Sequence, residues 1–129
     1  MGNSQDYSQF STFIYIFITM AVYVKTEKAS ELLDKLKKAI DDNKIKTWKY
    51  DDDGDFYHSP DQWQYSSWLR PITTDKYLVF GIIKPKDDTL STLTYAVYHG
   101  RFIEMMLNHF DGDFELIYAS AKKTKYDRF

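Results

Sequence analysis

The run Tyr77-Leu-Val-Phe-Gly-Ile-Ile83 does most to limit what this chain can fold into. Seven residues are too few for a core helix, and the run lacks the apolar-polar alternation of a strand with one wet face. It reads as a central strand covered on both sides, with Asp75 before it and Pro85 ending it. Such a strand needs neighbours in a sheet and a layer packed upon it.

The rest of the chain supplies both. Met20 to Lys25 is β-branched and aromatic and reads as a first strand, followed by Thr26 as the expected N-cap of a helix. Over 27–42, Ala29, Leu32, Leu33, Leu36, Ala39 and Ile40 recur at helical spacing. Glu31 and Lys35, and Asp34 and Lys38, pair four residues apart on the outer face, and Asn43 closes the helix. Ile45 to Tyr50 alternates as a strand, Asp51-Asp-Asp-Gly-Asp55 supplies a hairpin turn, and Phe56 to His58 returns. Ser59-Pro-Asp-Gln62 predicts one helical turn anchored by Trp63. Tyr65 to Arg70 reads as a strand ended by Pro71. A long helix starts at Asp87 or Asp88, with Leu93, Ala96, Val97, Gly100, Ile103, Leu107 and Phe110 as its expected buried stripe. Phe114 to Ala119 is a last strand.

The order β-α-β-β-β-β-α-β predicts an α+β, two-layer sandwich: a mostly antiparallel sheet with two helices on one face, ferredoxin-like by analogy in its two β-α-β ends. The 129 residues fit one domain. We place it at 20–121, between an extension at 1–19 and a basic tail at 122–129 that carries Lys122, Lys123, Lys125 and Arg128. The apolar run Phe10 to Val24 is interrupted by Ser11, Thr12 and Thr19 and falls short of the roughly 20 residues that span a bilayer. The first basic residue is Lys25, so a signal peptide's basic start is missing and no membrane role is expected. Residues 1–19 read either as sequence upstream of a natural start at Met20 or as a β-arm used in dimerisation. The chain has no cysteine, which favours a reducing, cytoplasmic setting. Its net charge of −2 gives a polyanion no general attraction, so nucleic acid is not an expected partner.

Function is harder to read. There is no Gly-x-Ser-x-Gly elbow, Gly-rich phosphate loop or His-Glu-x-x-His helix, so neither a catalytic residue nor a cofactor is expected. Asp51, Asp52, Asp53 and Asp55 invite a calcium reading, but placing Gly54 at the sixth loop position puts Lys49 first and Pro60 twelfth, where carboxylates belong. No metal is expected. What stands out is the 18% aromatic content, with 11 Tyr, 9 Phe and 3 Trp, more than a core of this size can hold. The first expectation is therefore a non-enzymatic interaction or regulatory module, a homodimer, using an aromatic surface around Trp48, Trp63, Trp68 and Tyr98. Stacking of bases on Trp48, Tyr50, Phe56, Trp63, Tyr65 and Trp68 would need more cations than Lys46, Lys49 and Arg70 beside four Asp. The alternative is a small-ligand-binding protein or weak hydrolase whose pocket joins the Asp55 to His58 hairpin to His99, Arg101 and Glu104. Among the histidines His99 is preferred, because Gly100 beside it would allow another backbone to approach closely. His109 reads as a charge favouring the helix C-terminus.

Three groups of residues carry a resemblance. They are Trp48-Lys-Tyr-Asp-Asp-Asp-Gly-Asp-Phe56 with Ser59-Pro-Asp-Gln-Trp63 and Trp68-Leu-Arg-Pro71; Tyr98-His-Gly-Arg-Phe102 with His109-Phe-Asp111; and Met20-Ala-Val-Tyr-Val24. Over about residues 20 to 120 the chain resembles a group of short bacterial proteins of unknown function. The resemblance implies a start at Met20, a bacterial cytoplasmic setting and a stand-alone domain, and it transfers no catalytic residue.

Overall fold

The computed structural model describes residues 21–85, 90–121 and 126. The readings made for residues 1–20 and for the basic residues of the tail lie outside these; the long helix expected to start at Asp87 or Asp88 starts at Thr92 instead, where the Ser91 hydroxyl caps it by accepting the Thr94 N–H. The elements are β1 (Ala21–Lys25), α1 (Ala29–Asp41), β2 (Trp48–Tyr50), β3 (Phe56–His58), β4 (Trp68–Thr73), β5 (Tyr77–Ile83), α2 (Thr92–Phe110), a 3-10 turn (Asp111–Asp113) and β6 (Leu116–Ser120). They form one six-stranded sheet of order β2-β3-β4-β5-β1-β6 in which every neighbouring pair is antiparallel. The α+β class, the element order and the two helices on one face are as expected. The inner order β4-β5-β1-β6 matches the ferredoxin-like plan, and the β2-β3 hairpin, inserted after α1, extends its edge.

β5 lies inside the sheet and is covered on both sides. On the helix side its Leu78, Phe80 and Ile82 join Val22, Val24, Phe56, Leu69 and Trp48 beneath Leu32 and Leu36 of α1 and Tyr98, Phe102 and Met106 of α2. Phe102 is central to this layer, with ring centroids 4.4 Å from Phe80 and 5.1 Å from Trp48. On the other side Ala21, Tyr23, Tyr77 and Val79 are buried with Ile72, Tyr118 and Tyr126 packed against them. Tyr23 and Tyr118, paired across β1 and β6, stack at 5.1 Å. Tyr126 crosses this face directly over Gly81, where an added Cβ would run into its backbone.

Four local readings are corrected. The buried stripe of α2 is Tyr98, His99, Phe102, Met105, Met106 and Phe110, whereas Leu93 and Leu107 are exposed. The helix is apolar around most of its circumference, so periodicity alone left its rotation open, and the larger aromatic and Met side chains took the core. Gly100 therefore faces open space rather than another backbone. Pro71 does not end β4 but sits within it, opposite Phe80. β3 pairs with β4 at Leu69, so past that point the far edge of β4 carries no ladder for the missing N–H to break. Thr26 caps only locally: its hydroxyl accepts the Lys28 N–H, and the helix itself begins at Ala29 without a side-chain cap. No helix among the described residues is long and apolar enough to cross a membrane.

The two glycines should respond to alanine in opposite ways. Gly100→Ala, exposed in mid-helix, should stabilise by about 0.5 to 1 kcal/mol. Gly81→Ala should cost about 2 kcal/mol, because the neighbour it meets is backbone. Urea unfolding of both variants checks this, and removing Tyr126 by truncation should abolish most of the Gly81→Ala penalty.

Candidate ligand-binding groove

The β2-β3 hairpin is held by its turn. The Asp51 carboxylate accepts the N–H groups of Asp53 and Asp55, each at 3.0 Å, and Gly54 takes φ +83°, where a side chain would be strained. Asp55 is buried and accepts two hydrogen bonds from the Arg70 guanidinium, both at 2.8 Å, fastening the turn to β4. Asp51, Asp53 and Asp55 bring ligand atoms within 4.8 Å of one another. Two of the three are already committed, Asp51 to the turn and Asp55 to Arg70, so the cluster is explained by the hairpin. Tyr50 fastens the other side by donating to Asp41 of α1 at 2.7 Å, with Lys37 over its ring.

This scaffold fixes His58. It pairs with Trp48 across the hairpin, and the two rings lie 4.7 Å apart. The His58 Nδ1 lies 2.8 Å from the Thr47 carbonyl, an acceptor, so Nδ1 carries the proton and Nε2 the lone pair. The His58 backbone N–H donates to the Tyr98 hydroxyl, which itself donates to the Trp63 carbonyl at 2.8 Å. Tyr98 is thus a buried bolt between α2, β3 and the β3-β4 loop, and burial pushes its pKa up to about 12. The His58 Nε2 is buried and has no hydrogen-bond partner among the described residues. Burial lowers the His58 pKa, and the nearby Arg101 adds to this, against the opposing Thr47 carbonyl and Glu104. The ring is neutral at pH 7.

His58 lines a groove of about 220 Å³ between the hairpin and α2. One wall is Ile45 to Trp48 with Pro60, and the other is Arg101, Glu104, Met105, Asn108 and His109. Arg101, Glu104 and Asn108 follow one another at three and four residues, a polar stripe beside the buried one. Neither Lys46, Arg101 nor Glu104 enters an ion pair with a described residue.

Of the residues singled out from sequence, then, His58, Arg101 and Glu104 converge. Trp48 and Tyr98 are not surface residues, being 1% and 0% exposed. Both were drawn inward by α2 turning that side to the sheet. His99 is also buried and lies outside the groove, its Nδ1 bonded to the Tyr95 carbonyl one turn back. Asp55, Arg70 and Tyr50 hold the hairpin. Trp63 packs partly against the core, and Trp68 is half-buried on the opposite sheet face, where Tyr57, the 59%-exposed Tyr65 and Trp68 form a row with centroids 5.5 and 6.3 Å apart. Lys46, Thr47, Asn108 and His109 were not anticipated as a site. The signal available was the cross-strand position of Thr47 and Lys46 beside His58, together with the i, i+4 spacing of Glu104 and Asn108.

Two predictions follow from these buried groups. Arg70→Met should cost about 3 kcal/mol by leaving the Asp55 carboxylate buried and unpaired, and adding Asp55→Asn should recover part of the loss in urea unfolding. Burial lowers the His99 pKa to about 4 from an ordinary 6.5. Its neutral form therefore supports the fold fully above about pH 6.5, and that support is lost as pH falls towards 4, since the unfolded chain takes up a proton the folded one refuses. His99→Leu should flatten this acid-side decline by up to about 3 kcal/mol, measured by unfolding at pH 7, 5.5 and 4.5. In comparisons with protein-family models, curated proteins and solved structures, no match to this chain was found.

Proposed function

We propose that the protein is a binding module for a small polar molecule, held in the groove between the β2-β3 hairpin and α2. The observation that carries this reading is the convergence of Lys46, His58, Arg101 and Glu104 on one groove, with the His58 imidazole buried, neutral and locked in one tautomer by Thr47. Arg101, Glu104 and Lys46, which form no ion pair with a described residue, supply polar groups of the kind that orient a small molecule, and Trp48, Ile45 and Met105 supply apolar lining. Among the described residues no hydroxyl is hydrogen-bonded to the His58 ring, so the support is for binding rather than for hydrolysis by an activated nucleophile. A bacterial cytoplasmic setting belongs to the same proposal, resting on the resemblance and the cysteine-free composition.

The row Tyr57, Tyr65 and Trp68 supports a second reading, an interaction module that pairs as a homodimer. Tyr65 holds its exposed ring out from a backbone at φ +64°, a conformation that disfavours a bulky residue. This moves the expected aromatic surface from Trp48 and Tyr98 to the opposite sheet face.

Each reading has its own measurement. For the groove, amide chemical-shift mapping with a mixture of small organic acids and amino acids should give changes centred on Lys46, Thr47, His58 and Asn108. Asn108→Trp, which fills the groove from an exposed position, should abolish them; changes that persist in this variant would place binding elsewhere. For self-association, light scattering at several concentrations should show a dimer that Tyr65→Ser and Trp68→Ser weaken by about tenfold or more in Kd. A concentration-independent monomer removes that reading.

A further inference from the structure

We infer that two copies of this chain pair through the outer face of α2, packed antiparallel about Gly100. The pairing rests on neither the groove nor the row Tyr57, Tyr65 and Trp68, which lies on the opposite sheet face.

α2 has two uncharged faces, and the fold uses one. Tyr98, Phe102 and Met106 go inward. Round the other side run Leu93, Ala96, Val97, Gly100, Ile103 and Leu107, with Leu93 65% and Leu107 49% exposed and Val97 and Ile103 half-buried. Leu93, Gly100 and Leu107 are seven residues apart with the others between them, the spacing that keeps one row of side chains turned to a partner helix. A helix face kept in water carries charge: the 13 residues of α1 hold six charged side chains. The 19 residues of α2 hold only Arg101 and Glu104, histidines counted neutral.

Gly100 points to a close approach. An added Cβ there would meet nothing within 4 Å, so packing among the described residues gives no reason for a residue that weakens the middle of a helix. A second helix crossing at this point supplies the reason, because the missing side chain lets two backbones come together.

Symmetry selects a second copy as the occupant. Leu93 and Leu107 lie seven residues to either side of Gly100, and Val97 and Ile103 lie three to either side. A two-fold axis at Gly100 sets Leu93 against the partner's Leu107, Val97 against the partner's Ile103 and the two glycines against each other, a self-complementary contact. The charges agree with this arrangement. On an ideal helix Arg101 and Glu104 stand about 100° and 40° round from Gly100 in the same direction. The axis keeps both on that side, so each Arg101 comes within reach of the partner's Glu104, and neither is in an ion pair with a described residue. One helix-on-helix contact, about 21 Å long from Leu93 to Leu107, is small beside the standard interface of about 1,600 Å² in total, so the dimer should be weak and form as concentration rises.

The experiment is sedimentation velocity of the full-length protein over rising concentration, with urea unfolding of each variant. The unaltered chain should pass from monomer to dimer. Leu93→Lys or Leu107→Glu alone, at exposed positions, should weaken pairing by about tenfold or more and leave unfolding unchanged. Mixing the two variants should restore pairing, because the lysine of one copy then meets the glutamate of the other while the remaining two leucines still meet. A monomer at every concentration overturns the inference, and so does a mixture that pairs no better than either variant alone. A dimer indifferent to both leucine substitutions also overturns it, and its loss with Tyr65→Ser would leave the aromatic-row reading standing instead. Leu93→Lys that destabilises a monomer in urea overturns it too, since the chain's own residues would then cover the stripe. The groove reading is untouched by any of these results.

Discussion

The fold depends on the double burial of β5. Leu78, Phe80 and Ile82 meet the helices while Tyr77 and Val79 meet the tyrosine layer on the far side, and all five are nearly inaccessible to solvent. A strand with no wet face must lie inside a sheet, so β4 and β1 flank it, and their own outer neighbours follow from the short connections of the chain. The helices cover one side only. The other is closed by Tyr23, Tyr118 and Tyr126, which explains part of the aromatic surplus: tyrosine supplies large apolar area with a polar tip suited to a layer close to water.

Function enters through what is added to this plan. The β2-β3 hairpin extends the sheet past the four inner strands, and Trp48 and Phe56 carry the core with it. Trp48 is packed against Tyr98, Phe102 and His58 together, so the floor of the groove belongs to the core and is as firm as the core. The polar stripe of α2 then faces the strand end that holds Lys46 and Thr47 across a gap that neither element fills. Asp55 with Arg70, and Tyr50 with Asp41, keep the hairpin from shifting into that gap.

Much of the architecture was legible because its signals are local. β5 declared itself by an unbroken apolar run, α1 by one clean stripe, and the hairpin by Asp51 to Asp55 around Gly54. The rotation of α2 was not legible. Leu93, Val97, Ile103 and Leu107 make as good a stripe on paper as Tyr98, Phe102 and Met106, and only packing against Phe80 and Trp48 separates them. That ambiguity accounts for Tyr98 and His99, whereas Tyr50, Asp55 and Arg70 are taken up in holding the hairpin. With α2 turned as it is, Tyr98 and His99 go inward and Arg101 and Glu104 come to the groove. His58, by contrast, depends on a cross-strand neighbour and on a helix forty residues away, contacts that no single stretch of sequence encodes.

The two buried histidines show how differently the same residue can be used. Each donates Nδ1–H to a carbonyl and each leaves Nε2 unpaired among the described residues. His99 does so within its own helix, beside the Tyr95 ring and away from the groove, so its unmet acceptor is a fixed cost that shows itself in acid. His58 does so beside a groove whose Lys46, Arg101 and Glu104 form no ion pair with a described residue. In a domain whose total stability is about 5 to 15 kcal/mol, an unmet acceptor worth about 1 to 3 is a substantial fraction. Binding in the groove would tighten the fold through the hairpin that Tyr98 bolts to α2.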